Sequence, residues 1–251
     1  MPTAQKQSKK ATLIWTSVIV LIFGFLVIPS ILKRLREDQV VDANRITMSQ
    51  DALYGAAKLS YVMGESGPRA IPDFQFIDHN GGVFSQENLK GKITVLDFFF
   101  TTCPTICPIM SKNMSHLAAV FEGNDQVQFV SISINPRYDT VERLSKYKEK
   151  YNASTTQWHF LNGPVEEVYA LAREGFLMIA QEDERAPGGF EHSGLFALID
   201  EEGFLRSSLD GFGNPIIYYR ATIPIEEGAD ENGEEEQISL LIEDINRLIE
   251  E

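Results

Sequence analysis

The chain has 251 residues, 43% of them apolar and 23% charged, which is enough for one core of ordinary size and unlike the composition of a wholly disordered chain. Its formal net charge of -14 at pH 7 repels phosphate backbones, so nucleic acid is not an expected partner; such a charge favours a basic partner surface. Two cysteines, with three residues between them, cannot staple a scaffold and point instead to chemistry.

Residues 13 to 32 (LIWTSVIVLIFGFLVIPSIL) carry no charge. Twenty helical residues at about 1.5 Å each span about 30 Å, the hydrocarbon thickness of a bilayer. The run is longer than the apolar part of a signal peptide and no A-x-A-like cleavage site follows, so it reads as an uncleaved N-terminal transmembrane helix behind a short tail, residues 1 to 12. Lys6, Lys9 and Lys10 before it balance Lys33, Arg34 and Arg36 after it, so flanking charge does not orient it. Residues 33 to 68 read as a spacer, weakly helical over 37 to 66 and broken at Gly64, Gly67 and Pro68.

From residue 69 to 251 the pattern is that of a folded domain. Phe74, Phe76 and Ile77, then Asp78 to Gly82, then Val83 and Phe84 predict a hairpin. Residues 93 to 100 (ITVLDFFF) predict a central strand covered on both faces, and 127 to 134 a second. Helices are expected over 107–121, 140–151, 165–174 and 238–249, a short strand over 158–161, and a last hairpin from 195–200 and 204–209. Strands alternating with helices make this α/β with a mixed sheet; periodicity alone leaves thioredoxin-like and flavodoxin-like arrangements open. Residues 226 to 236 hold seven carboxylates and no cation, a solvated loop by composition.

The chemistry concentrates where the first central strand runs out. Cys103 falls on the following loop and Cys107 in or near the first helical turn, with Pro108 suited to an early helical position. Unpaired N–H groups and the helix dipole there enrich thiolate, which is both the nucleophile of disulfide exchange and a ligand for soft metals. Two thiolates spaced C-x-x-x-C can bend to a disulfide or open around one ion. Thiolate selects Cu(I), and an imidazole suits both copper oxidation states. Of four histidines, His79 reads as a polar turn residue, His116 as an exposed helical one and His159 as a core or strand-edge residue with a backbone partner. His192 stands apart, after the Gly-rich stretch 182–190 and just before a strand, where a loop can aim a ligand. Met110 and Met114, at helical spacing on an apolar face, read as core.

Several blocks together resemble the Sco/SenC family, thioredoxin-fold copper proteins that help assemble cytochrome c oxidase. They are Gly91-Lys92 before the buried strand, Thr101-Thr102-Cys103-Pro104-Thr105-Ile106-Cys107-Pro108, Ser131 to Pro136 with Asp139-Thr140, Trp158 to Gly163, and His192-Ser193. Their order and spacing run from about Ile71 to Asp210. The resemblance implies a thioredoxin-like domain in which Cys103, Cys107 and His192 hold one copper ion, as Cu(I) or Cu(II). It implies that the same two thiols can pass electrons, and that the partner is the copper-bearing subunit of cytochrome c oxidase or another copper or thiol protein. It also implies a domain tethered to the bacterial inner membrane and facing the periplasm. Thr105 stands where the family often has Asp, Asn135 where Asp is commoner, and Glu191 where Asp usually precedes the histidine. The lead-in to His192 lacks the family's usual tyrosine, and the acidic stretch 226–236 is unlike its compact forms. The alternative is a periplasmic thiol–disulfide oxidoreductase or redox sensor, which needs only the cysteines.

Overall fold

A computed structural model describes residues 14–15, 23, 58–151, 156–209 and 215–251. The chain divides into two compact units, 1–56 and 57–251. Ile14, Trp15 and Phe23 of the 13–32 run are helical, and the remainder of that run lies outside the described residues, as do residues 1–12 and 33–57. Among the described residues no helix is long and apolar enough to cross a membrane.

The second unit begins with β1 (Ser60–Tyr61), β2 (Met63–Gly64) and β3 (Gly67–Pro68), followed by the hairpin β4 (Gln75–Asp78) and β5 (Val83–Ser85). Then come β6 (Ile93–Phe99), α1 (Cys107–Val120), β7 (Val127–Ser133), α2 (Val141–Lys150) and β8 (Trp158–Asn162). Helix α3 (Val165–Ala170) runs into a π turn over Leu171–Gly175. A small ribbon of β9 (Ala180–Glu182) and β10 (Phe190–His192) precedes β11 (Leu195–Ile199) and β12 (Leu205–Leu209). The chain closes with β13 (Pro215–Ile216), β14 (Tyr219–Arg220) and α4 (Ile238–Glu250).

The main sheet runs β1-β12-β11-β6-β7-β8-β4-β5, with β13 on β12 and β14 on β11. Only β6, β7 and β8 pair in parallel; the other pairings are antiparallel. All seven residues of β6 and of β7 are buried, as their unbroken apolar runs require of strands covered on both faces. Helix α4 packs on β6 and α1, and α2 packs on β8. This is the thioredoxin-like mixed sheet. The helix ends follow local chemistry. The Thr140 hydroxyl accepts from Arg143 N–H to cap α2, and Glu236 accepts the Ile238 and Ser239 N–H groups at the start of α4. The acidic stretch is therefore partly a helix cap, and Glu234 also pairs with Arg220.

Three expectations need correction. Residues 58–68 are not part of a helical spacer: Ser60 and Tyr61 pair with Ser207 and Arg206, and Leu59 and Val62 are buried. Their alternation serves a sheet edge, which hydropathy alone did not separate from a weak helix. His79 lies in the hairpin turn as expected but is not simply a polar turn residue, because pairing of β4 with β8 buries it beside Phe160, whose N–H donates to Nδ1 at 3.3 Å. Burial, aided by Lys148 Nζ 3.0 Å from Nε2, brings the ring's pKa down to about 4. His159 packs its ring on Phe84, 4.9 Å between centroids, and its Nδ1 has no hydrogen-bond partner among the described residues. By contrast His116 is exposed, and Met110 and Met114 are fully buried core residues.

Gly163, directly after β8, has no room for a side chain: a Cβ there would lie 2.1 Å from the buried Phe76 ring. Gly163→Ala is expected to lower stability by about 1–3 kcal/mol through overpacking. Urea denaturation of the variant measures this, and an unchanged midpoint would contradict the packing described.

Candidate metal centre

Strand β6 delivers the chain to the edge of the sheet, and residues 100–106 turn it into α1. Cys107 is the first residue of that helix with Pro108 next, where the missing proline N–H costs nothing. Cys103 lies on the turn, its N–H donating to the Phe100 carbonyl at 3.2 Å. Both cysteines are free thiols. The third group arrives from 85 residues further along: His192 ends β10, and its Nε2 sits 3.1 Å from the Cys107 sulfur. The ligand atoms of Cys103, Cys107 and His192 all lie within 4.8 Å of one another. Among the described residues this is the one group of three such side chains placed to hold an ion.

The histidine is held from several sides. Its Nδ1 is 3.2 Å from the Ser193 carbonyl, which orients the ring so that Nε2 faces the thiols. Its ring meets the Phe100 ring edge-on at 5.8 Å. The ribbon β9–β10 that carries it is closed at the His192 end by paired bonds between Ser193 and Ile179, which join its two strands. Between the strands of the ribbon the loop folds back over the cysteine turn. Gly188, at φ +82°, approaches Phe100 and Pro104 so closely that a Cβ would fall 2.9 Å from the ring. The ribbon was not foreseen in the sequence: His192 sits within a short strand, one step removed from the loop-to-strand junction expected of it. A cleft of about 470 Å³ opens beside Cys103 and His192, with Phe100, Ile106 and Phe190 among its walls.

The two thiols are unequal. Hydrogen bonding from Cys107, then from His192, and N–H groups of Cys107 and Thr105 bring Cys103 down to about 3 against its burial. Cys107 moves the other way: burial drives it far up, and the hydrogen bond and negative charge of Cys103 reinforce this. The pair thus keeps one proton, on the buried sulfur, and presents the outer one as thiolate.

Beneath them lies a carboxyl group that sequence reasoning passed over. Asp97 on β6 is fully enclosed, and its register partner Ser131 on β7 donates to it at 2.5 Å. Trp158 Nε1–H in turn donates to the Ser131 hydroxyl at 3.0 Å. Burial pushes Asp97 up to about 7, against the opposing influence of Ser131 and His192. A lone carboxylate inside the apolar run 93–100 was the available signal.

Asp97 binds its proton more tightly folded than unfolded, so between pH 4 and 7 the native state holds the extra proton. The sign is therefore negative: stability falls as pH rises through that window, by up to roughly 1.4 kcal/mol per unit, and levels off above it. Relative to wild type, Asp97→Asn is expected to gain stability progressively from pH 4 to 7. Denaturant titrations at several pH values measure the difference, and parallel curves would contradict a raised Asp97.

Comparison with known proteins agrees with this geometry. Residues 63–223 match the SCO1/SenC family. A SCO1/SenC family lipoprotein of Bacillus anthracis is 29% identical with a TM-score of 0.59, over 72% of this chain and 95% of that one. The Sco protein of Bacillus subtilis is 28% identical with a TM-score of 0.53, over 64% of this chain and 92% of that one; it is described as having a disulfide switch and as a member of the Sco family of cytochrome c oxidase assembly proteins. ScoI of Bradyrhizobium japonicum, solved with copper bound, is 25% identical with a TM-score of 0.50, over 56% of this chain and 89% of that one. With the family matched over most of its length and its sheet and thiol pair in place, the chain belongs to the SCO1/SenC family.

Proposed function

We propose that this protein is a copper chaperone that holds one copper ion between Cys103, Cys107 and His192 and supports maturation of the copper centre of cytochrome c oxidase. The observation that carries the reading is the convergence of two sulfurs and one imidazole nitrogen within 4.8 Å. The donor set fits the ion. Two thiolates favour Cu(I), and a single imidazole adds a ligand that Cu(II) also accepts. His192 already turns Nε2 toward the sulfurs, so the ion meets a site with little to reorganise. Cys107 must give up its proton to bind, so copper uptake releases a proton and strengthens with pH. The relative with copper bound and the relative described as an oxidase assembly protein both support the reading.

The charge-free run 13–32 and the lipoprotein relative support a domain held at a membrane, on its periplasmic side in the proposed setting. A thiolate at Cys103 beside a protonated Cys107 also favours a second role as thiol–disulfide reductant toward the cysteines of a partner. In that role Cys103 attacks the partner disulfide, and Cys107 then displaces it. The pair is left as a disulfide and the partner reduced by two electrons.

The reading is tested by anaerobic titration of the reduced soluble domain with Cu(I) against a competing chelator. One copper per chain is expected. Cys103→Ala and Cys107→Ala should each weaken binding by at least about a hundredfold, and His192→Ala by at least about tenfold. Binding indifferent to His192, or none, would remove the chaperone and leave the dithiol chemistry.

A further inference from the structure

Asp139 is completely buried just before the cap of α2, and no ion pair among the described residues involves it. Its carboxylate is satisfied by neutral donors alone. One oxygen accepts the Thr101 N–H at 3.0 Å and the Ser133 hydroxyl at 2.6 Å; the other accepts the Thr101 hydroxyl. Its own backbone is equally fixed, the N–H donating to the Asn135 carbonyl at 2.9 Å and the carbonyl accepting from the Asn162 side chain. Three elements therefore meet at one side chain: the exit of β6, the end of β7 and the start of α2.

The bonds to Thr101 bear on the site because of what flanks it. Phe100, the preceding residue, accepts the Cys103 N–H at its carbonyl, 3.2 Å away, and meets the His192 ring edge-on. Cys103 itself is two residues on. A shift of Thr101 thus moves the turn that carries Cys103 and the ring that backs His192, although Asp139 touches neither sulfur. Beyond tying β7 to α2 through Ser133, the carboxylate reaches Thr101, at the start of the cysteine turn, with both of its oxygens.

We propose that Asp139 is a positioning residue whose double hold on Thr101 sets the Cys103–Cys107 geometry, and so both copper affinity and the dithiol–disulfide balance. This rests on the copper reading for its first consequence only. The second is independent of metal. Oxidation by glutathione disulfide joins the two sulfurs, transfers two electrons and breaks the glutathione S–S bond, leaving two glutathione thiols that take one proton from Cys107 and one from solvent. The ligand atoms of the reduced site lie within 4.8 Å of one another with the two sulfurs unbonded, wider than a disulfide allows, so loosening Thr101 lets the cysteine turn bend the sulfurs together and moves the balance toward the disulfide.

The test uses two variants that release the clamp from opposite ends. Asp139→Asn removes the charge and keeps the shape; Thr101→Val removes one donor and keeps the charge. Asp244→Asn, on α4, is the control, because it alters another buried, hydrogen-bonded carboxylate that lies outside the site. Each is titrated with Cu(I) and equilibrated in glutathione redox buffers, with thermal unfolding recorded alongside. Both clamp variants are expected to lose about tenfold or more in copper affinity and to shift about fivefold or more toward disulfide, in the same direction. The control is expected to lose thermal stability without either shift. The inference is overturned if the clamp variants match wild type in the redox buffers, if only Asp139→Asn shifts, which is a charge effect, or if the control shifts equally. Failure of wild type to bind copper would instead sink the chaperone reading, and the redox comparison would still decide on Asp139.

Discussion

The contact between the Cys107 sulfur and His192 Nε2, 3.1 Å across a sequence separation of 85 residues, is the constraint to which the remaining architecture answers. Neither side chain could find the other locally. Cys107 is placed by the step from a buried strand into a helix, and His192 by a two-stranded ribbon outside the main sheet. What brings the two together is β11, which follows the ribbon directly and pairs antiparallel beside β6, the strand that leads to the cysteines. Burial of the apolar side chains on β6, β7 and β11 supplies the free energy that orders these strands, so core packing is also what assembles the site.

The electrostatics follow from the same placement. The inner sulfur is deeply enclosed above a buried carboxyl and retains its proton, while the outer one gathers N–H and S–H donors and gives its proton up. An arrangement of one thiolate, one thiol and one imidazole can bind a soft cation by losing the thiol proton, or can attack a disulfide without further activation. The proposed copper holding and thiol exchange would draw on one geometry and need no separate sites. The net charge of -14 belongs to a different level of the argument: it bears on which surfaces approach, and plays no part in holding the three ligands together.

Much of this was legible in the residues. The run 93–100 and the run 127–134 announced central strands because a strand covered on both faces has no polar alternation to hide it. The cysteine spacing and Pro108 located the turn into α1 to within a residue. The ribbon carrying His192 was opaque for the opposite reason: three-residue strands of mixed polarity, such as Ala180–Glu182, are made by tertiary pairing and have no period of their own. Burial of His79 depended on the register of β4 against β8, which is a non-local quantity. Likewise, Ser60 and Tyr61 take their strand character from the edge offered by β12, and β2 and β3 theirs from each other. Asp97 lay in plain view inside an apolar run, and the cost of burying an unpaired carboxylate would have flagged it.

The central claim is that two sulfurs and one imidazole nitrogen from Cys103, Cys107 and His192 surround a single copper ion. X-ray absorption spectroscopy of the Cu(I)-loaded soluble domain, compared with His192→Ala, addresses that most directly. The account requires a first coordination shell of two sulfurs and one nitrogen, with the nitrogen's outer-shell imidazole scattering lost in the variant. A shell of sulfur alone in the wild type, or imidazole scattering that persists without His192, would contradict it.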